Sequence, residues 1–285
     1  MKNISHKINK KTIITTVVIC ALAAAVVVCA VCAVKLFKNP TENTAETQPI
    51  VDANSSEWSN LVMDGMVTVQ SGTLVAVNPG LAGTLTVPDK ITAIGDNAFN
   101  SCSNLTGVVF GDNLQSIGDS AFYGCAALTG DIVIPDTVQT IGNYAFYGCT
   151  GITSITIPET VTVIGNRAFM FCSGLTGELI IPDSIVEIED STFYGCSGLT
   201  KITLGKSVES IGSFAFYGCT ALVDVNIPVS IQAIGNSAFF ACSSLTNINY
   251  AGTKDEWNCI MLGKDWDKDI QNYKINYSSS FAKTE

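Results

Sequence analysis

Ala145-Phe-Tyr-Gly-Cys149-Thr-Gly-Ile-Thr153 is one of seven near copies of a single phrase; the others begin at Ala98, Ala121, Ala168, Thr192, Ala215 and Ala238. The cysteine of the phrase (Cys102, Cys125, Cys149, Cys172, Cys196, Cys219, Cys242) recurs at spacings of 23, 24, 23, 24, 23 and 23 residues. A period held within one residue over 81–250 predicts a solenoid, in which each copy is one structural unit stacked on the next.

Between two phrases lies a second constant segment, clearest in Ile152-Thr-Ser-Ile155-Thr-Ile157-Pro158-Glu-Thr-Val161-Thr-Val-Ile164-Gly165-Asn166. Its first part alternates apolar and polar residues and is rich in Ile and Thr, the pattern of a short strand with one buried face. A proline ends it in most copies (Pro88, Pro135, Pro158, Pro182, Pro228) and a glycine in two (Gly111, Gly205); both break a strand. Apolar pairs three apart follow, from Ile91/Ile94 through Val161/Ile164 to Ile231/Ile234, and should point inward. A column of capping residue types (Asp96, Asp119, Asn143, Asn166, Asp190, Ser213, Asn236) then stands ahead of the Ala-Phe phrase, which reads as an N-cap before a short helical turn. One unit exposes Ile, Phe, Cys and Leu that it cannot cover alone, so it needs neighbours and a cap at each end.

Taken together, Leu-x-x-Ile-x-Ile-Pro-x-x-Val-x-x-Ile-Gly-x-x-Ala-Phe-x-x-Cys-x-x resembles the BspA-like class of leucine-rich repeats over about residues 81–250. The fold expected is a leucine-rich-repeat solenoid, of the α/β repeat class but mainly β: stacked parallel short strands with short helical turns, preceded by an N-terminal transmembrane helix. Departures from the pattern are few. Glu189 replaces the glycine and Thr192 the alanine in the fifth copy, Phe110-Gly111 replaces Ile-Pro, and Gly130 and Gly177 are single-residue insertions expected to bulge the start of their strands.

Residues 1–12 carry Lys2, Lys7, Lys10 and Lys11, and Ile13 to Val34 then runs without a charge. At 1.5 Å per residue this run spans the ~30 Å bilayer core, and the basic start should stay in the cytoplasm and leave the repeats outside. Residues 13–34 are accordingly expected to be a signal-anchor; a cleaved signal peptide and a secreted protein form the alternative, and either route exports the repeats. Residues 35–60 read as a polar, disordered stalk, 61–80 as an N-terminal cap hairpin split at Ser71-Gly72, 251–277 as a C-terminal cap that loses the period but keeps Trp257, Trp266, Tyr273 and Tyr277, and 278–285 as a tail. Beyond residue 38 nine basic residues face 25 acidic ones, a net of −16, which argues against phosphate contacts to nucleic acid and suits a basic or neutral partner.

The single histidine is His6, so a His-based nucleophile or a His-ligated zinc is not expected in the repeats. Paired carboxylates remain conceivable, but Asp and Glu recur at turns in every copy; no enzyme activity, cofactor, metal or catalytic residue is expected. Seven cysteines at one inward position are odd in number and read as small buried hydrophobes rather than disulfides or ligands, with Cys259 the exposed thiol.

Strand alternation places Leu175, Leu179 and Ile181 inward and Glu178 and Ile180 outward. Carried through the copies, one outward column contains Asp131, Glu178 and Lys201, and its neighbour Val109, Val133, Thr156 and Ile180. These seven residues form the candidate ligand surface, the alternative being an ordinary solvated sheet. A second ladder follows each conserved Phe and includes Tyr123, Tyr147, Tyr194 and Tyr217. It would offer ring faces to glycan or peptide, or else shield the core. The resemblance implies a cell-surface scaffold for adhesion or protein binding, with an extracellular protein or glycan as ligand. A self-associating envelope protein and a carbohydrate-active accessory protein are the competing classes.

Overall fold

The computed structural model of the chain describes residues 56–278; segments 1–12 and 13–34, most of the expected stalk and residues 279–285 lie outside that range. Among the described residues no helix is long and apolar enough to cross a membrane.

The repeats build a solenoid with two parallel ladders. Nine strands of four or five residues, from Gly83–Thr86 to Lys274–Tyr277, line one side, with pairing interrupted between Leu105–Val109 and Gly130–Val133 and between Ile152–Thr156 and Gly177–Ile180. A second ladder starts at Thr73–Val77 and continues through two-residue strands from Ala93–Ile94 to Met261–Leu262. Strands this short are stable only because the period brings each one beside its counterpart. The register shifts expected at the inserted glycines are present between Gly130 and Asp131 and between Gly177 and Glu178, where both glycines take a left-handed φ, near 81° and 73°.

The Ala-Phe phrase is not helical. It is a tight turn with two left-handed residues four apart, such as Asn97 and Ser101 or Ser120 and Gly124. Its N–H groups alternate in destination. Those of Ala98, Asn100 and Cys102 bond back within the turn, while those of Asn97, Phe99 and Ser101 reach Asp119, Ala121 and Tyr123 of the next copy. A third ladder of backbone bonds therefore replaces the expected helical turn. The capping column serves that ladder too: Asp119 Oδ1 accepts the N–H of Asn143 at 2.7 Å, and Asn143 Oδ1 that of Asn166 at 2.9 Å, one copy along in each case. These side chains cap no helix of their own; they fasten neighbouring copies.

The interior is columns of like residues. Phe99, Phe122, Phe146, Phe169, Phe193, Phe216 and Phe239 are fully buried and stack ring on ring, at centroid distances from 4.4 to 5.5 Å, until Trp266 closes the column edge-on at 6.3 Å. Each such ring is worth about 1.5–3 kcal/mol in burial. The cysteines run beside them, and Cys125, Cys149, Cys172, Cys196, Cys219 and Cys242 each donate a thiol hydrogen to the Phe carbonyl of the preceding copy. Thr192, in the alanine slot, is buried but donates its hydroxyl to Glu189 O at 2.8 Å.

At one junction both ladders are interrupted. In the short-strand ladder Glu187–Ile188 is not paired with Val163–Ile164, and in the long-strand ladder Gly177–Ile180 is not paired with Ile152–Thr156. The first break coincides with Glu189. At the equivalent glycines a Cβ would lie 2.6 Å from Asp119 N (Gly142) or Asn143 N (Gly165), so any side chain there must hold the copies apart. The turn ladder still crosses this junction, with Phe169 N to Thr192 O at 2.9 Å and Phe171 N to Tyr194 O at 2.7 Å.

Both ends differ from expectation. The stalk expected over 35–60 is helical from Ser56, in Ser56–Met63, with Trp58 buried in the hydrophobic core; the hairpin Val67–Gln70 with Thr73–Val77 follows it. At the other end 251–277 does more than cap. Met261–Leu262 and Lys274–Tyr277 extend both ladders by another, longer turn, with a helix at Lys254–Trp257 fixed by a Thr253–Glu256 capping box. Ser278 also bonds back, to Tyr250 O and Gly252 O.

Candidate functional site

The long-strand ladder has one buried and one outward face. Leu175, Leu179 and Ile181 are buried, and their sequence neighbours Glu178 and Ile180 are exposed. Parallel register brings the seven candidate residues into two columns. In one, Asp131 lies beside Ser154 and Glu178 beside Lys201; in the other, Thr86 lies beside Val109, Val133 beside Thr156 and Ile180 beside Thr203. Val109, Val133 and Ile180 expose 50%, 64% and 61% of their surface, the outward counterparts of buried neighbours in the same strands.

The two halves of this face differ chemically. Toward the C-terminal end its polar groups satisfy one another: Lys201 pairs with Glu178 at 3.1 Å and Lys206 with Asp183 at 3.0 Å, and Asn226, Asn249 and Asn276 each donate to the residue one copy back. The hydroxyl of Thr203 and the ammonium of Lys201 hold the Glu178 carboxyl below its ordinary range, and the N–H and ammonium of Lys206 do the same for Asp183. A groove of about 500 Å³ along the strand ends here, floored by Ile180, Leu204 and Ile227, is rimmed by the partnered Asp183, Lys206, Asn226 and Asn249 together with Glu159. Nearer the N-terminal end a groove of about 270 Å³ is lined by Val108, Val109, Phe110 and Val133 with Asp112 and Asp131, and one of about 340 Å³ adjoins it through Asp112, Val133 and Pro135.

The tyrosine ladder is arranged otherwise. Tyr123 lies flat on Tyr147 at 4.5 Å, and Tyr194 on Tyr217 at 4.6 Å, both within 4° of parallel. All four are half-buried, and the faces a sugar ring would use are spent on each other. Sequence reasoning missed Phe171. In the fourth copy Met170 interrupts the tyrosines, and Phe171 stands edge-on to both Tyr147 (5.6 Å) and Tyr194 (5.3 Å), making the aromatic strip continuous. The signal was a Phe in the slot that holds Gly124 and Gly148, a left-handed position (φ 62°) where a bulky side chain is strained.

Burial pushes the thiols of Cys125, Cys172 and Cys242 up to about 12, so thiolate chemistry is suppressed in the ladder; Cys259 is exposed. Among the described residues no group of His, Cys, Asp or Glu is arranged to hold a metal ion.

Comparison with known proteins bears on these features. The family model for the BspA type leucine rich repeat region matches residues 82–178 and 174–259, in six copies. Among solved structures, a leucine-rich repeat protein from Bacteroides ovatus is 26% identical with a TM-score of 0.58 over 75% of this chain, which spans 62% of that protein. The leucine rich repeat protein of T. pallidum shares the fold at 24% identity and a TM-score of 0.50, over 69% of this chain and 82% of that one. No curated protein matches.

Proposed function

This chain belongs to the BspA-type leucine-rich repeat family, and from that premise we propose that it is a non-catalytic, membrane-anchored scaffold at the cell surface that binds an extracellular protein through the outward face of its long strands. The observation that supports this most is the exposure of Val109, Val133 and Ile180 on the outward face of the stacked long strands. Apolar side chains at half or more exposure on strands already ordered give up rotamer freedom but little backbone freedom when a partner covers them. Residues 13–34 supply the anchor and hold the array outside.

The test uses the full chain in detergent against an array of matrix and cell-surface proteins. A saturable ligand should be lost on Val109→Glu/Val133→Glu/Ile180→Glu and kept on Val163→Glu/Val186→Glu, which alters exposed valines of the short-strand side. Equal loss or equal retention contradicts the proposal. Membrane fractionation tests the anchor, which requires the intact chain to sediment with membranes.

A second reading, end-to-end self-association, draws support from the open edge strand Lys274–Tyr277 and from Met261 and Leu262, which end the other ladder and are exposed at 69% and 43%. Sedimentation that depends on concentration and is abolished by Met261→Glu favours it.

A further inference from the structure

The repeats supply an internal comparison. At equivalent places on the outward face, the C-terminal half meets two carboxylates with a lysine one copy along, Glu178 with Lys201 and Asp183 with Lys206, and Asp224 with the amide of Asn247. In the N-terminal half the equivalent positions carry Asp131 followed by Ser154, and Asp112 between Asp89 and Asp136. Among the described residues those two ion pairs are the salt bridges present, and Lys90 is the one basic residue between 56 and 166. Hydroxyl groups of Thr153 and Ser154 donate to Asp131 but carry no charge to balance it.

These unbalanced carboxylates border the two adjoining grooves, whose floor is Val109, Phe110, Val133 and Pro135, with no basic residue in either lining. Val109 and Val133 are the apolar side chains half or more exposed on this half of the face. The groove therefore offers apolar contact at its centre and uncompensated negative charge at its rim, the arrangement that selects a partner by charge and holds it by apolar burial.

We propose that the Val109–Val133 groove docks a basic, apolar polypeptide segment in extended form, whose Lys or Arg side chains take the places that Lys201 and Lys206 occupy in the C-terminal half. This rests on the scaffold reading and gives it a partner class. An extended segment suits the site because its side chains on one face repeat every second residue, so a segment in which cationic and apolar residues take turns at every second position presents both chemistries to the groove at once. Burying the cations against carboxylates at the rim contributes mainly to encounter rate and selectivity, and burying the apolar residues on Val109 and Val133 contributes to lifetime.

The experiment measures anisotropy of labelled ten-residue peptides on the full chain in detergent: repeats of Lys-Ser-Val-Ser (Lys-Val), of Glu-Ser-Val-Ser (Glu-Val) and of Lys-Ser-Ser-Ser (Lys-Ser), each at low and moderate salt. The Lys-Val peptide should bind, weaken about tenfold between about 20 and 200 mM salt, and exceed both other peptides by about tenfold. Asp112→Asn/Asp131→Asn/Asp136→Asn should cost about tenfold, whereas Glu187→Gln/Glu209→Gln, on the short-strand side, should leave binding unchanged. Melting curves check that each variant is folded. Equal losses from the two sets of neutralised carboxylates would reduce the effect to net charge, and equal binding of Lys-Ser would remove the groove; either overturns the inference. Should an array ligand be lost on the Val109/Val133/Ile180 change yet ignore both salt and the Asp triple, this inference falls while the scaffold reading stands.

Discussion

Asp119 accepts the backbone N–H of Asn143 at 2.7 Å, joining two positions 24 residues apart in sequence and one copy apart in space. The same link runs from Asp96 to Asp119, from Asn143 to Asn166 and from Asp190 to Ser213. Removing the acceptor leaves an N–H without its partner, so Asp119→Ala should cost about 1 kcal/mol in chemical denaturation. Asp119→Asn should cost less than half of that, since asparagine does the same work at position 143. Equal costs for the two changes would contradict the role.

The thiol column makes the array sensitive to alkali. A buried thiol whose pKa rises from the ordinary 9.0 to about 12, as for Cys172, contributes stability in full below pH 9 and loses it progressively between pH 9 and 12, because the unfolded chain releases the proton first. Each such thiol adds a slope of about 1.4 kcal/mol per pH unit. Cys172→Ala should flatten the alkaline fall by about that amount, measured as urea midpoints from pH 8 to 11. In native protein Cys259 should react with iodoacetamide while the seven ladder cysteines wait for denaturant.

Phe171 tests strain against packing. Its ring bridges Tyr147 and Tyr194, but its backbone sits at φ 62°. Phe171→Ala loses the ring and keeps the left-handed penalty; Phe171→Gly loses the ring and removes about 1–2 kcal/mol of that penalty. The glycine variant should melt at the higher temperature of the two, the reverse of the usual order of alanine and glycine.

The junction at Glu189 should open first. Glu209 N bonds to Val186 O at 2.8 Å and Gly212 N to Ile188 O at 2.7 Å, whereas no counterpart joins 186–189 to 162–164 among the described residues. Amide exchange should therefore be faster at Val186–Glu189 than at Glu209–Gly212. Glu189→Gly, which lets the copies close as they do at Gly165, should slow it; unchanged exchange would show that the side chain is not what parts the ladder.

How far the chain could be read without coordinates follows from the same geometry. Period and alternation identified the inward residues Ile164, Phe169, Cys172 and Leu179 and the outward Val133 and Ile180, because both depend on spacing alone. The shape of the Ala-Phe turn was not legible: Asp or Asn before a short apolar phrase is an N-cap signal when bonds run within one turn, and here they run to the next copy. The last turn, Met261–Leu262 with Lys274–Tyr277, was hidden because its partners lie 28 and 27 residues away, Ile234 to Leu262 and Asn249 to Asn276, outside the 23–24 period. The neighbours in the contrast between the two halves of the outward face were legible, since Asp183 and Lys206 stand one 23-residue period apart, but that their side chains meet at 3.0 Å was not.

The central claim, that the long-strand face is where a foreign protein docks, is tested most directly by placing a photo-crosslinking phenylalanine analogue at Val133 in one variant and at Val186 in another, with both displayed on intact cells exposed to matrix protein. Val133 and Val186 are both well exposed, at 64% and 49%, and lie on different sides of the array. Adducts at 133 with little or none at 186 are the predicted result; equal adducts at the two positions, or adducts at 186 alone, would contradict it.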